Sequence, residues 1–277
     1  MPYFFMAHKS DRIIDEIQIK MADGKISSCL YFDDTKKPNK DNIRFINEND
    51  ILTELNNHGK ILFMTSKEGE NVEFAYGYKL KPMSVECEDF KKLLLFYDEK
   101  SRDKIAYFAQ RISVGDFYNE GVFFVGDELR KNKDRIKKIY FKCILENHEN
   151  GDELKDEKVI NELIDGSSIK ELSLIRDKTR FLLDHGFFYD MIAWNESSSN
   201  QVIGYKLYYI GKEYSFKDLV IALLDKTEVS YDSNKIEDAL KSVNGLYLAH
   251  ISYCIDTNNN KELNFYFKGI KDGKIPR

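Results

Sequence analysis

Paired strand-like segments recur along the chain, and a short polar turn joins the two members of each pair. KILFMTS and NVEFAYGYKL flank KEGE at 67–70, and LYLAHISYC and ELNFYFKG flank IDTNNNK at 255–261. Alternating apolar and polar residues on both sides of a turn-forming stretch are typical of a β-hairpin. Repeated hairpins predict an antiparallel sheet with one buried face.

Three further hairpins are predicted by the same pattern. SSCLYFDD and IRFI flank TKKPNKDN, in which Pro38 and Asn39 favour a turn. KLLLFYDE and IAYFAQRIS flank KSRD, and MIAWN and VIGYKLYYIG flank ESSSNQ. Most of the predicted sheet is therefore local, with each strand next to its neighbour in sequence.

Helical spacing interrupts the strands. In NDILTELNNHG, Asn49 or Asp50 can cap a helix that stops at Gly59. The stretch 127–143, DELRKNKDRIKKIYFKC, predicts a second helix, with a strand from Ile139 as the alternative.

The second half has stronger helix signals. Ser168 and Glu171 form a capping-box pattern, and helical spacing continues from there to Gly186. SFKDLVIALLDK and NKIEDALKSVNG predict two more helices, each with a polar residue at its start.

An acidic, turn-rich stretch at 146–158 is the predicted linker between two domains. Residues 1–145 form a strand-rich hairpin domain, and residues 159–277 form an α+β domain. The predicted fold class is α+β in two parts, each a mainly antiparallel sheet with a few packed helices.

Composition limits the partners and the compartment. The net charge of −5 does not attract nucleic acid to the whole protein, so such binding needs a local basic patch. Apolar runs such as LLLFY fall far short of the roughly 18 residues that span a bilayer, which predicts no membrane insertion. The four cysteines lack zinc or redox spacing, and buried free thiols favour the cytoplasm, although two disulfides would also fit the count.

Arg180 and His185 are separated by four residues in TRFLLDHG. This spacing resembles the motif of HEPN-type ribonucleases, in which arginine would stabilise phosphate charge and histidine would transfer protons without a metal. Here Phe181 follows the arginine where those motifs carry a polar residue, and strands follow at once. The other interpretation is a helix end, with cations near the C-terminus and Gly186 as its cap.

Two groups of residues are candidates for nucleic-acid binding. A basic run near residue 134 could contact several phosphates, or could be a solvated helix face. Tyrosines and lysines that share strand faces in the second half could stack and hold single-stranded bases, or be ordinary cross-strand neighbours. The basic run is Arg130, Lys131, Lys133, Arg135, Lys137 and Lys138, and the second group is Lys206, Tyr208, Tyr266 and Lys268.

Metal and cofactor motifs are not found in the sequence. DTNNNKE at 256–262 has Lys261 where a calcium loop needs glycine, and Phe267 where it needs glutamate. Gln18 and Lys20 share one strand face, as in the QxK half of a metal-dependent nuclease core, but no upstream aspartate stands on a separate strand. The sequence has no GxSxG, dinucleotide-binding or P-loop pattern, so no cofactor is expected.

Three functions fit these observations. The first is a non-enzymatic binding or interaction protein, with single-stranded nucleic acid or another protein as partner, in a microbial phage-conflict or defence setting. The second is a metal-independent ribonuclease that uses Arg180 and His185. The third is a structural component of a protein assembly, in which a partner covers an edge strand. The sequence does not specify an oligomeric state.

Overall fold

A computed structural model describes residues 13–70, 72–81, 83–114, 122–132, 134–143, 153–198, 201–213 and 217–269. Its ten strands are β1 (Ile13–Ala22), β2 (Lys25–Asp33), β3 (Ile61–Gly69), β4 (Val72–Leu80), β5 (Val122–Arg130), β6 (Arg135–Lys142), β7 (Phe188–Ser197), β8 (Val202–Glu213), β9 (Tyr247–Asp256) and β10 (Lys261–Lys268).

The strands form one closed antiparallel barrel. Each strand pairs with its sequence neighbour, and β1 pairs with β10 to close the ring, with Ile19 opposite Phe265. The β6–β7 pair, with Tyr140 opposite Ala193, joins strands from the two predicted domains in the same sheet. The predicted fold class of two separate sheets is therefore wrong.

Within the described residues, eight α-helices connect the hairpins. They are α1 (Lys40–Asn47), α2 (Asp50–Asn57), α3 (Glu88–Leu94), α4 (Glu99–Val114), α5 (Glu153–Ser167), α6 (Lys170–Thr179), α7 (Lys217–Thr227) and α8 (Ser233–Ser242). A 3₁₀ helix, Arg180–His185, follows α6.

Across the described ranges, one unit, a β-hairpin followed by two helices, occurs four times and is followed by a fifth hairpin. All hairpin turns consequently lie at one end of the barrel, which we call the hairpin end. The helical connections leave from the opposite end, which we call the helix end. None of the helices in the described ranges is long and apolar enough to cross a membrane.

Strand alternation separates an outer face from a lumen. Ile17 and Ile19 belong to a large apolar core together with helix residues such as Leu172 and Leu223. This core lies between the barrel and its helices and contains most of the buried aliphatic side chains. Successive side chains of a strand point to opposite faces, so Gln18, which lies between these two isoleucines, faces the lumen.

Several local predictions are confirmed. The strands β3–β4, β7–β8 and β9–β10 are hairpins as expected. The Asn49 side chain caps α2 by accepting from the Leu52 backbone N–H at 3.0 Å. Gly186 ends the 3₁₀ helix in a left-handed conformation with φ of 75°.

Other local predictions are wrong. IRFI lies in α1. The predicted hairpin of KLLLFYDE and IAYFAQRIS, at 92–113, lies largely within α3 and α4. The stretch 127–143 holds the end of β5, a tight turn and all of β6 instead of a helix. Tertiary pairing overrides a weak helical pattern here, because β5 and β6 each hydrogen-bond a strand on both sides.

The predicted linker falls partly outside the described residues. Of 146–158, the structure describes 153–158, and these residues form the first turns of α5.

Candidate active site in the barrel lumen

Charged side chains from six strands meet in the lumen near the hairpin end. Glu262 on β10 binds Lys20 on β1 and Lys206 on β8, the latter with 2.5 Å between Nζ and Oε1. β1 and β10 are paired neighbours, whereas the contact with Lys206 reaches past β9, as expected for side chains inside a closed barrel.

Glu128 on β5 forms the other half of this network. It binds Lys138 on β6, and its Oε2 lies 3.6 Å from Nζ of Lys67 on β3. Its Oε1 lies 3.2 Å from Nε of Arg130. We call the whole set the cationic cluster. It consists of Lys20, Lys67, Arg130, Lys138, Lys206, Glu128 and Glu262.

The cationic cluster holds five basic groups and two carboxylates. Burial would raise the pKa of Glu128 and Glu262, but the adjacent lysines keep both well below the usual range. Both carboxylates are therefore ionised. With its basic groups protonated, the cluster has three positive charges in excess and attracts anions.

The lysines of the cluster differ in their protonation. Burial lowers the pKa of Lys138 to about 8, although Glu128 opposes this shift. Burial also lowers the pKa of Lys20. For Lys206 and Lys67 burial acts in the same direction, but Glu262 and Glu128, respectively, raise the pKa above its usual value.

A cavity of about 230 Å³ opens beside the cluster at the hairpin end. Asn195 on β7 is among its lining residues and is buried, and its Oδ1 has no hydrogen-bond partner in the described part of the chain. A buried amide group without a partner is costly, and a bound polar molecule would supply one. The cavity and this amide together indicate a ligand site.

Four tyrosines line the lumen deeper in the barrel, and we call them the tyrosine layer. Neighbouring ring centroids are 5.8 Å apart for Tyr140 and Tyr208, 5.9 Å for Tyr208 and Tyr266, and 6.2 Å for Tyr266 and Tyr31. Burial raises the pKa of all four hydroxyls, so the phenols are neutral.

The tyrosine layer has a hydrogen-bonded support. Tyr31 donates to Oε1 of Gln18 at 3.2 Å, and Gln18 donates to Oδ1 of Asn264 at 2.5 Å. Asn264 in turn donates to the hydroxyl of Ser252 at 3.1 Å. Lys67 lies 5.4 Å from the Tyr31 ring centroid, so the layer adjoins the cationic cluster.

A second charged network lies at the helix end of the lumen, and we call it the histidine cluster. His250 on β9 lies between two carboxylates: Nδ1 is 3.2 Å from Oε1 of Glu16, and Nε2 is 3.3 Å from Oδ2 of Asp190. Lys142 binds Asp190, and Lys268 lies 3.7 Å from both Glu16 and Asp15. The cluster comprises Asp15, Glu16, Lys142, Asp190, His250 and Lys268.

His250 and Asp190 of the histidine cluster are both ionised at neutral pH. Burial alone would lower the pKa of His250, but Asp190 and Glu16 together raise it to about 9. Burial would raise the pKa of Asp190, whereas His250 and Lys142 bring it to about 2. Three cations then face three carboxylates, so this cluster has no excess charge.

The structure divides the predicted basic run between two faces of the barrel. Arg130 and Lys138 point into the lumen, as members of the cationic cluster. On the outside, Arg135 forms a fork on buried Asp127, and Lys137 donates to the Phe96 carbonyl at 2.7 Å. Lys131 is exposed in the turn, and Lys133 lies outside the described residues. The run is therefore not one phosphate-binding helix face.

The predicted aromatic platform is also corrected. Lys206 and Tyr208 share a face, as do Tyr266 and Lys268, but that face is the lumen and not an exposed surface. Tyr208 is 6% exposed and Tyr266 is 5% exposed. These rings cannot stack on the bases of a nucleic-acid strand at the surface.

Arg180 and His185 lie in the 3₁₀ helix after α6, on the outside of the barrel. Nη2 of Arg180 is 2.7 Å from Oε1 of Glu157, and Nδ1 of His185 is 3.0 Å from the Phe181 carbonyl oxygen. A carboxylate beside the arginine disfavours a bound phosphate, so the contacts fit a helix end.

Sequence reasoning missed the residues that complete both lumen clusters. In the cationic and histidine clusters these are Asp15, Glu16, Lys67, Glu128, Lys142, Asp190, His250 and Glu262, and beside the clusters they are Tyr31, Tyr140 and Asn195. Their signal was a charged residue or tyrosine at alternate positions of strands that are otherwise apolar, which indicates a polar lumen. The described residues contain no group of three or more His, Cys, Asp or Glu side chains arranged to hold a metal ion.

Comparison with protein-family models and with curated proteins finds no match. Solved structures share the barrel. AnaPT from Neosartorya fischeri superposes with a TM-score of 0.57 at 11% identity, covering 93% of this chain and 78% of that protein. NotF prenyltransferase gives 0.54 at 11% identity, covering 92% and 80%. The fold resembles that of prenyltransferases.

A third solved structure contains bound ligands. It is prenyltransferase PriB in ternary complex with L-tryptophan and dimethylallyl thiolodiphosphate, with a TM-score of 0.51 at 12% identity, covering 91% of this chain and 79% of that protein. At such low identity the similarity establishes the fold alone.

These findings correct the functional expectation. A barrel shared with prenyltransferases, with its charged and aromatic residues buried in the lumen, contradicts a non-enzymatic nucleic-acid-binding or protein-interaction role. The described strands also form a closed ring, so the edge strand that the assembly hypothesis requires is not present among them.

Proposed function

We propose that this protein is an enzyme that transfers an allylic prenyl group from its diphosphate ester to an aromatic acceptor such as L-tryptophan. The observation that carries the proposal is the cationic cluster beside the tyrosine layer in one lumen. The similarity to prenyltransferase structures supports the fold that such an enzyme would use. A cytoplasmic location is part of the proposal, because all four cysteines are free thiols.

The cationic cluster supplies the charge that the donor needs. A diphosphate leaves an allylic carbon when the C–O bond breaks and both electrons stay with oxygen. Lysines that donate charge-assisted hydrogen bonds stabilise the negative charge that develops on this oxygen. Lys206 and Lys67 suit this task because their pKa values are raised, so they stay protonated.

The tyrosine layer suits the cationic half of the reaction. The allylic fragment left behind carries a positive charge, and the faces of aromatic rings attract cations. Tyr31, Tyr140, Tyr208 and Tyr266 line the lumen next to the cationic cluster. Tyr208 and Tyr266 are buried, which keeps bulk water away from the cation there. The acceptor ring then forms the new C–C bond and loses a proton, which an oxygen of the released diphosphate can accept.

Product formation tests this function. The purified protein is incubated with dimethylallyl diphosphate and L-tryptophan, then with other aromatic acceptors and longer prenyl diphosphates, and products are detected by mass spectrometry. We expect an acceptor that gains one prenyl group, with this product lost in Lys206→Met. The matched control is Lys217→Met, which removes an exposed lysine paired with Glu237. Failure to prenylate any acceptor in this panel would contradict the proposal.

A further inference from the structure

The two carboxylates of the cationic cluster have no role in binding an anion directly, since they repel it. Each of them instead joins cations from different strands. Glu262 joins β1 to β8, and Glu128 joins β3 to β6. The lysine ammonium groups are consequently directed toward the same part of the lumen.

We propose that Glu128 and Glu262 are positioning residues, which hold the lysines of the cationic cluster in place for an incoming diphosphate. This inference deepens the proposed function and rests on it. On binding, the phosphate oxygens take over lysine N–H donors from the carboxylates, and no covalent bond changes.

Side-chain flexibility is the first reason that such residues are needed. Lysine has a long stem with several rotatable bonds, and an unpaired lysine near the barrel mouth would turn its ammonium toward water. Fixing such a chain costs conformational entropy. Because Glu128 and Glu262 hold the lysines in place in the folded protein, this cost is met on folding and not on ligand binding. Their own side chains are only 5% and 17% exposed.

Protonation is the second reason. Burial favours neutral lysine, and it is the largest influence on the pKa of Lys138, Lys206 and Lys67. The carboxylates oppose burial at each of these lysines. Without Glu262, Lys206 and Lys20 would lose the main group that opposes burial, and these lysines would lose their protons at a lower pH.

The other charged groups around Lys138 either affect its pKa less strongly than burial and Glu128 do, or lie at the mouth of the barrel. Lys67 and Lys206 lower its pKa further. Asp256 accepts from the backbone N–H groups of its own turn, and Lys261 pairs with Glu228 at 2.6 Å. The titratable residues of the cavity wall are Lys20, Asp23, Arg130, Lys138, Lys206, Cys254, Asp256, Lys261 and Glu262.

Calorimetric titration with inorganic pyrophosphate between pH 6 and pH 9 tests the proposal. For the wild type we expect affinity to weaken as the pH rises past about 8, where Lys138 loses its proton. In Glu128→Gln the midpoint should move to lower pH, because Glu128 is the carboxylate that opposes burial at Lys138. In Glu262→Gln an additional decline should appear within the range, because Lys206 and Lys20 lose the carboxylate that keeps them protonated. If the pKa of a lysine falls by one unit, the loss of pyrophosphate affinity across this range should be about tenfold larger for each lysine that titrates within it.

Two controls separate positioning from general damage. Glu262→Asp keeps the charge and should retain the wild-type midpoint, even where its shorter reach weakens binding. Glu237→Gln removes an exposed carboxylate paired with Lys217, and it should change nothing. Circular dichroism identifies any variant that does not fold. If one glutamine variant does not fold, the other one tests the proposal. A wild-type pH profile in the folded glutamine variants, or no binding by the wild type, would overturn the proposal.

The titration does not depend on turnover, so the two proposals can fail separately. If the wild type transfers prenyl groups but the glutamine variants keep its pH profile, the positioning role alone is wrong. If the expected profiles appear but no acceptor is prenylated, the proposed reaction alone is wrong.

Discussion

The two ends of the lumen contain buried charged networks of similar size, and they differ in charge balance. At the hairpin end, the cationic cluster has an excess of three positive charges beside a cavity. At the helix end, the histidine cluster balances three cations with three carboxylates. A network that is balanced by its own chain stabilises the fold, whereas an unbalanced one is prepared for a ligand.

Removing one lysine from each network should have the largest and most different effects. Lys206→Met should weaken pyrophosphate binding and slow transfer by roughly 30- to 100-fold, as for the loss of a charge-assisted hydrogen bond. Lys142→Met should leave binding intact but destabilise the protein by about 3 kcal/mol, because Asp190 loses one partner for its buried charge.

Calorimetry with pyrophosphate and denaturant unfolding of both variants measure this difference. If Lys142→Met weakened binding more than Lys206→Met at equal folded fraction, the ligand end would be assigned wrongly.

The histidine cluster should make stability depend on pH. His250 has a folded-state pKa of about 9, above its usual value, so its contribution is complete below about pH 6.5 and is lost as the pH rises through 9. We expect a loss of about 2–3 kcal/mol over this range for the wild type, relative to His250→Gln.

Urea unfolding at pH 6.5 and pH 9.5 measures it. The comparison with the variant is needed because Lys138, whose pKa is lowered, adds stability as the pH rises above 8. Equal pH dependence in both proteins would show that His250 is not clamped as an imidazolium.

The tyrosine layer should act on the rate and not on donor binding. Tyr208→Leu removes a ring face that would contact the allylic cation, and we expect transfer to slow by about tenfold with an unchanged KM for the donor. Tyr208→Phe keeps the ring and should stay within about twofold of the wild type. A leucine variant as fast as the phenylalanine variant would exclude the ring from cation stabilisation.

Asn195 should have the smallest effect. Its Oδ1 has no partner within the described residues, so Asn195→Ala should barely change stability. Pyrophosphate affinity should fall by about three- to fivefold if the amide contacts the ligand, as expected for one modest hydrogen bond. Denaturation and calorimetry on the same sample distinguish the two effects, and a destabilised variant with full affinity would place Asn195 in the fold alone.

Local structure was predictable where a hairpin or a cap has its own sequence signal. The last hairpin around residues 256–260 and the Asn49 cap of α2 depend on neighbouring residues. In contrast, LLLFY and IAYFA read as strands because they are rich in aromatic and apolar residues, but IAYFA lies within α4, and LLLFY contains the end of α3 and the turn that follows it. Their environment, and not their own pattern, decides their conformation.

The candidate site was less predictable because it depends on barrel closure. Lys206 and Tyr208 were placed on one strand face from the sequence, but their exposure depends on β1 pairing with β10, nearly the whole chain apart. Glu128 meets Lys67 across β4 for the same reason. Long-range pairings of this kind carry no local signal.

A crystal structure of the protein with dimethylallyl thiolodiphosphate would show where the donor binds. We expect phosphate oxygens within about 2.7–3.2 Å of the Lys206 and Lys138 ammonium groups. The prenyl chain should lie against Tyr208 and Tyr266. Donor density at the helix end or outside the barrel, or an empty lumen at saturating donor, would contradict the assignment of the lumen as the prenyl-diphosphate site.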